Sequence, residues 1–69
     1  MRKRPSYVLV SREAGRWAIE FGDYLKVLVE AERKDYRDHG HKAKDLKIIK
    51  SVSDSSADVA LALKRLRHP

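Results

Sequence analysis

The segment Tyr7-Val8-Leu9-Val10 constrains the fold most, because in extended conformation it puts Tyr7 and Leu9 on one side and Val8 and Val10 on the other. A strand apolar on both faces fits the middle of a sheet. Trp17-Ala18-Ile19-Glu20-Phe21 supplies a second strand, with Trp17, Ile19 and Phe21 on one face and Ala18 and Glu20 on the other. Between the two, Glu13-Ala14-Gly15 offers a glycine-containing loop, so the pair reads as an antiparallel hairpin. Leu46 to Val52 has the composition of a third strand. Its residues Leu46, Ile48, Lys50 and Val52 are assigned to the core face, with the Lys50 stem buried at an edge and its ammonium in water. Lys47, Ile49 and Ser51 fall opposite.

Two helices complete the pattern. Gly22-Asp23 interrupts the second strand, Asp23 can cap the amides that follow, and Gly40 offers a left-handed position that closes a helix over residues 24–38. Ser55-Ser56-Ala57-Asp58 has capping-box spacing, with Asp58 in place of the usual glutamate. It precedes Val59, Ala62, Leu63 and Leu66 at i, i+3, i+4 and i+7. Lys64, Arg65 and Arg67 in the last turn suit the helix dipole. The expected fold is therefore α+β, ordered β-β-α-β-α, with strand order 2-1-3 and both helices on one face of the sheet. A right-handed crossover carries the first helix over the central strand. The opposite face is expected to stay open, combining two apolar residues of the first strand with Ala18, Ile49, Lys47 and Arg12 or Arg16.

Residues 1–5 read as a flexible basic arm and 6–69 as a single domain. A domain of this size buries only about 60% of the surface its unfolded chain exposes. There is no cysteine, and three histidines do not replace a zinc-binding Cys/His framework, so covalent and metal staples are absent. Stability then rests on packing or on association, which makes a homodimer an option. The apolar arc of the first helix is wide, because Leu25, Val29 and Tyr36 extend the stripe of Tyr24, Val27, Leu28 and Ala31. The sheet on one side and the C-terminal helix on the other are expected to cover it, with a homodimer or partner groove as the alternative.

Charge is unevenly distributed over a chain of net charge +6. Residues 1–16 carry Arg2, Lys3, Arg4, Arg12 and Arg16 against Glu13, and residues 41–53 carry Lys42, Lys44, Lys47 and Lys50 against Asp45. Residues 17–40 are acidic, with six carboxylates against four cations. No apolar run approaches the roughly 20 residues that span a bilayer, and the apolar stretch after Arg2-Lys3-Arg4 is too short for a signal peptide. The chain reads as cytoplasmic, with no membrane partner. In a eukaryote the basic tripeptide can act as a nuclear signal.

No phosphate-cradling glycine loop, nucleophile elbow or metal-binding helix motif is present. No catalytic residue, metal ligand or cofactor is expected. His39-Gly40-His41, beside Lys42 and Lys44, gives only a minor alternative, a small histidine-dependent ribonuclease. Glu30, Glu32, Asp35 and Asp38 read as a solvated helix face with Glu30–Lys34 at i,i+4 spacing. The expected function is that of a non-catalytic basic protein contacting an anionic partner, nucleic acid first, through Arg2, Lys3, Arg4, Arg12, Arg16, Lys42, Lys44 and Lys47. Tyr7 can stack on a base if its face is open. The element order matches neither a helix-turn-helix, an RNA-recognition motif nor a double-stranded RNA-binding domain. The second expectation is a protein-interaction module, or a small inhibitor of the kind mobile elements and phages encode. It would act through Tyr7, Leu9, Ile49, Leu25, Val29 and Tyr36.

Overall fold

A computed structural model describes residues 4–67. Strands β1 (Ser6–Glu13) and β2 (Arg16–Asp23) are followed by helix α1 (Lys26–Asp38), a short 3-10 turn (Ala43–Asp45), β3 (Leu46–Ser51) and helix α2 (Ser56–Arg67). The sheet order is β2-β1-β3, with both pairings antiparallel. The doubly apolar segment of β1 thus occupies the centre, as its pattern requires.

The β1–β2 hairpin closes on two residues, Ala14 (φ 53°) and Gly15 (φ 78°). Two successive positive φ values define the type I′ turn whose twist matches that of paired strands. Glycine accepts this geometry freely, whereas a left-handed alanine costs roughly 1 kcal/mol. Further along, the register slips: Leu9 pairs with Phe21 but Val10 pairs with Ile19, so Glu20 is the extra residue of a β-bulge. A one-residue insertion inverts the alternation of everything on one side of it. Trp17 and Ile19 therefore share the face of Val8 and Val10, while Phe21 turns to the Leu9 face. This corrects the expectation that Trp17, Ile19 and Phe21 point the same way. The bulge is anchored by the Glu20 carboxylate, which accepts hydrogen bonds from Ser11 Oγ at 3.1 Å and Tyr36 Oη at 2.9 Å.

Helix α1 starts two residues later than its sequence signals suggest. Asp23 Oδ1 accepts the Leu25 amide hydrogen at 2.9 Å, and Tyr24 stays outside the helix, its phenol donating to the Asp54 carboxylate. At the other end Gly40 (φ 102°) donates to Arg37 O and His41 N–H donates to Tyr36 O. This is the paired closure of a Schellman motif, with glycine in the left-handed position. α1 packs on one sheet face, where Leu9, Val29 and Leu46 form the core with Tyr7, Phe21, Tyr36 and Ile48 around them.

The other face is not open. Val8 and Val10 point away from α1, yet they are only 2% and 0% exposed. Val59, in the first turn of α2, lines the same cavity as Val8 and Ile19, and α2 packs along β3. Val59, Ala62, Leu63 and Leu66 are half-buried along α2, whose first turn thus lies over this second face. The helices thus sandwich the sheet, which corrects their expected placement on one side. A central strand apolar on both faces needs exactly such double cover. The β3–α2 corner is made of alternating serines: Ser51 Oγ donates to Ser53 O, and Ser53 Oγ accepts the Ser55 amide and donates to the Asp58 carboxylate. Ser55 Oγ accepts the Asp58 amide at 3.2 Å, completing the N-cap. Val52, expected inside, lies past the end of β3 and is 56% exposed.

Candidate nucleic-acid interface

Five of the eight expected cation positions, with Trp17, lie at the hairpin end of the sheet. Arg12 pairs across the hairpin with Trp17, and its Cζ lies 5.1 Å from the Trp17 ring centroid. Lys47 Nζ approaches the same ring at 5.7 Å. The bulge at Glu20 is what places Trp17 here, on the side of the sheet to which Arg12 and Lys47 also belong. Arg12 is not a free cation. Its Nε and Nη2 donate to Asp45 Oδ1 at 3.2 and 3.1 Å, and Nη2 also reaches Lys44 O at 3.4 Å. It ties the 3-10 turn to the hairpin. An exposed pair of this kind contributes only about 0.2–1 kcal/mol. Its larger effect is positional, since it fixes Lys44 beside the hairpin.

Arg16 follows the turn directly, opposite Glu13. Lys42 lines a cleft of about 320 Å³ together with Arg12, His39 and His41. Among the described residues Arg16, Lys42, Lys44 and Lys47 make no ion pair. The hairpin end therefore presents four cations without a salt bridge, Lys47 beside the braced Arg12–Trp17 pair and Arg16 on the opposite side of β2.

Arg4 does not join this cluster. Arg2 and Lys3 lie outside the described residues. Arg4 stands at the far end of β1, its Cζ 4.2 Å above the Tyr24 ring. Eight residues of extended chain separate it from Arg12, a span of about 27 Å.

His39 and His41 have structural partners. His39 Nδ1 lies 2.7 Å from Asp35 O and His41 Nδ1 lies 3.1 Å from Tyr36 O. A carbonyl only accepts, so each Nδ1 carries its hydrogen and caps the C-terminus of α1. Among the described residues no group of three His, Asp or Glu side chains is placed to hold a metal, and no helix is long and apolar enough to cross a membrane.

The residues expected to contact another protein are mostly spent inside the fold. Leu9 and Val29 are fully buried in the α1 core, which corrects their assignment to an interface. Ile49 is half-buried on the face that α2 covers. Tyr7 is half-buried on the α1 side, where no base can stack on it as an open platform. Tyr36 is half-buried, packs at 5.1 Å from the His41 ring and donates to Glu20. That hydrogen bond, with some desolvation and the Glu20 charge, raises its phenol above the ordinary value. Tyr24 is raised in the same way by Asp54. Leu25 alone of the six is widely exposed, next to Val27 and Leu28.

One feature escaped the residue pattern. All four cations of α1, Lys26, Arg33, Lys34 and Arg37, line a single open groove of about 710 Å³ between α1 and β3. Their i, i+7, i+8, i+11 spacing marks one helical stripe. Reading the segment by its net acidity hid that stripe.

Comparisons with protein families, with curated proteins and with solved structures find no match to this chain.

Proposed function

We propose that the protein is an intracellular, non-catalytic nucleic-acid-binding protein that holds a phosphate backbone at its hairpin end. The observation that supports this most is that Arg16, Lys42, Lys44 and Lys47 lie at one end of the sheet, with Lys47 on the Trp17 ring, and that none of them forms a salt bridge among the described residues. Four such contacts release about four counterions, which gives useful affinity at low salt and little base specificity. Trp17 is the only tryptophan of the chain, so its fluorescence reports on this site alone.

The test is a titration of nuclease-treated protein with labelled single-stranded DNA, duplex DNA and duplex RNA at several salt concentrations. Label anisotropy and Trp17 emission are followed together. A phosphate-binding site gives a change in Trp17 emission and a log–log salt slope of about −3 to −4 on a duplex. Absence of binding at moderate salt, or binding that leaves Trp17 emission unchanged, rules the site out and leaves the charge as a solubilising feature.

A further inference from the structure

We propose that the groove between α1 and the free edge of β3 binds an acidic peptide segment, which enters as a fourth strand. This does not depend on the hairpin end binding nucleic acid, and the two sites share only Lys47.

β3 is an edge strand, paired to β1 alone. Apart from the Leu46 N–H, which closes the 3-10 turn on Ala43 O, no backbone hydrogen bond outside the β1 pairing reaches Leu46–Ser51 among the described residues. Its outward N–H and C=O groups form a row of alternating donors and acceptors, which another extended peptide complements. Such an edge is ordinarily blocked by a helix or loop. Here α1 stands back from it and leaves the groove, floored by Leu46 and Ile48. Ile48 remains half-buried, so there is apolar surface for an alternate side chain of the incoming strand to cover.

The walls decide the charge of the occupant. Lys26, Arg33, Lys34, Arg37 and Lys47 line the groove against Glu30 and Asp38. The Glu30–Lys34 spacing produces no ion pair, and the groove cations have no salt-bridge partner among the described residues. A peptide alternating carboxylate and aliphatic side chains satisfies the wall and the floor together. Six residues of β3 span about 20 Å, so a segment of about six residues fills the edge.

Two other occupants fit less well. A second copy pairing β3 with β3 brings two chains of net charge +6 together along an edge carrying Lys47 and Lys50, the arrangement that natural edge strands use to prevent association. A nucleic acid has no alternating backbone donors and acceptors to match β3, and no aromatic side chain lines the groove for a base to stack on.

The experiment uses the full chain and a fluorescein-labelled octapeptide alternating Glu and Val, with anisotropy for affinity and amide NMR shifts for location. Three controls accompany it: the same peptide with Gln for Glu, the Glu/Val peptide N-methylated at alternate residues, and the protein variant Lys34→Glu/Arg37→Glu, whose two sites are solvent-exposed. Binding that shifts the Leu46–Ser51 amides is expected, weakened at least about tenfold by each control. A second variant, Lys64→Glu on α2, serves as a charge control away from the groove and is expected to bind as the parent does. Equal binding of the N-methylated peptide overturns strand addition and leaves charge alone. A self-associated protein whose β3 amides are already protected, or an oligonucleotide that moves those amides where the peptide does not, overturns the choice of occupant.

Discussion

The two faces of the sheet are closed by different means. Under α1 the cover is a compact apolar core, Leu9, Val29 and Leu46, fastened by a polar tie in which Tyr36 and Ser11 both bond Glu20. On the other face Val8 and Val10 are buried, Val8 beside Val59 of α2, the apolar stripe of that helix is only half-buried, and the serine-rich corner caps its start. Each face also has its tyrosine–carboxylate bond, Tyr36–Glu20 on one and Tyr24–Asp54 between the lead into α1 and the lead into α2 on the other. The contrast separates a face that carries the stability of the domain from one that completes it. The hairpin end and the β3 edge, the two places proposed for recognition, lie outside both covers.

The largest expected effect breaks the first face. Leu9→Ala removes a fully buried side chain from the centre of the α1 core and should cost about 3–5 kcal/mol. A domain of this size has roughly 3–10 kcal/mol in total, so the variant should be largely unfolded by circular dichroism. Leu63→Ala, half-buried in α2, should cost about 1–2 kcal/mol in a urea titration and leave a cooperative transition. Equal losses at the two sites would erase the distinction between the faces.

A smaller change isolates the corner that positions α2. Ser55→Ala removes the acceptor of the Asp58 amide and should cost about 1 kcal/mol. Hydrogen exchange should then quicken in the first turn of α2 while the α1 amides keep their protection. Ala14→Asn acts in the opposite direction. Asparagine tolerates the left-handed conformation that alanine holds at a cost, so the variant should gain up to about 1 kcal/mol without moving either helix.

The tyrosine ties give the smallest effect and a distinct pH signature. Hydrogen bonding to Glu20, with desolvation, raises the Tyr36 phenol above its ordinary value of 10.0. A group whose pKa is higher in the folded state stabilises fully below its unfolded value, and that contribution is lost as pH rises through the folded one. Stability should therefore fall on the alkaline side of pH 10, and Tyr36→Phe should flatten that limb in thermal melts between about pH 9 and 11.

Much of this architecture is legible in the residues. The doubly apolar β1 sets the strand order, Gly15 marks the hairpin, Gly40 ends α1, and Ser55 with Asp58 begins α2. The bulge at Glu20 is not legible, because no glycine or proline marks it and the cause lies in Glu20 reaching two partners distant in sequence. That slip of one residue is what carries Trp17 to the side of Arg12 and Lys47. The side taken by α2 was present in the pattern, since Val8 and Val10 need cover as much as Tyr7 and Leu9 do. Pairing charges by segment concealed the groove, because residues 17–40 are acidic in sum while α1 within them is basic along the one stripe that faces β3.

The most direct measurement of the proposed nucleic-acid site compares salt slopes for the parent chain and Lys44→Ala/Lys47→Ala on one duplex DNA. Removal of two phosphate contacts should lower the magnitude of the slope by about two and weaken binding equally across sequences. An unchanged slope with unchanged affinity would mean that the hairpin end does not hold the phosphate backbone.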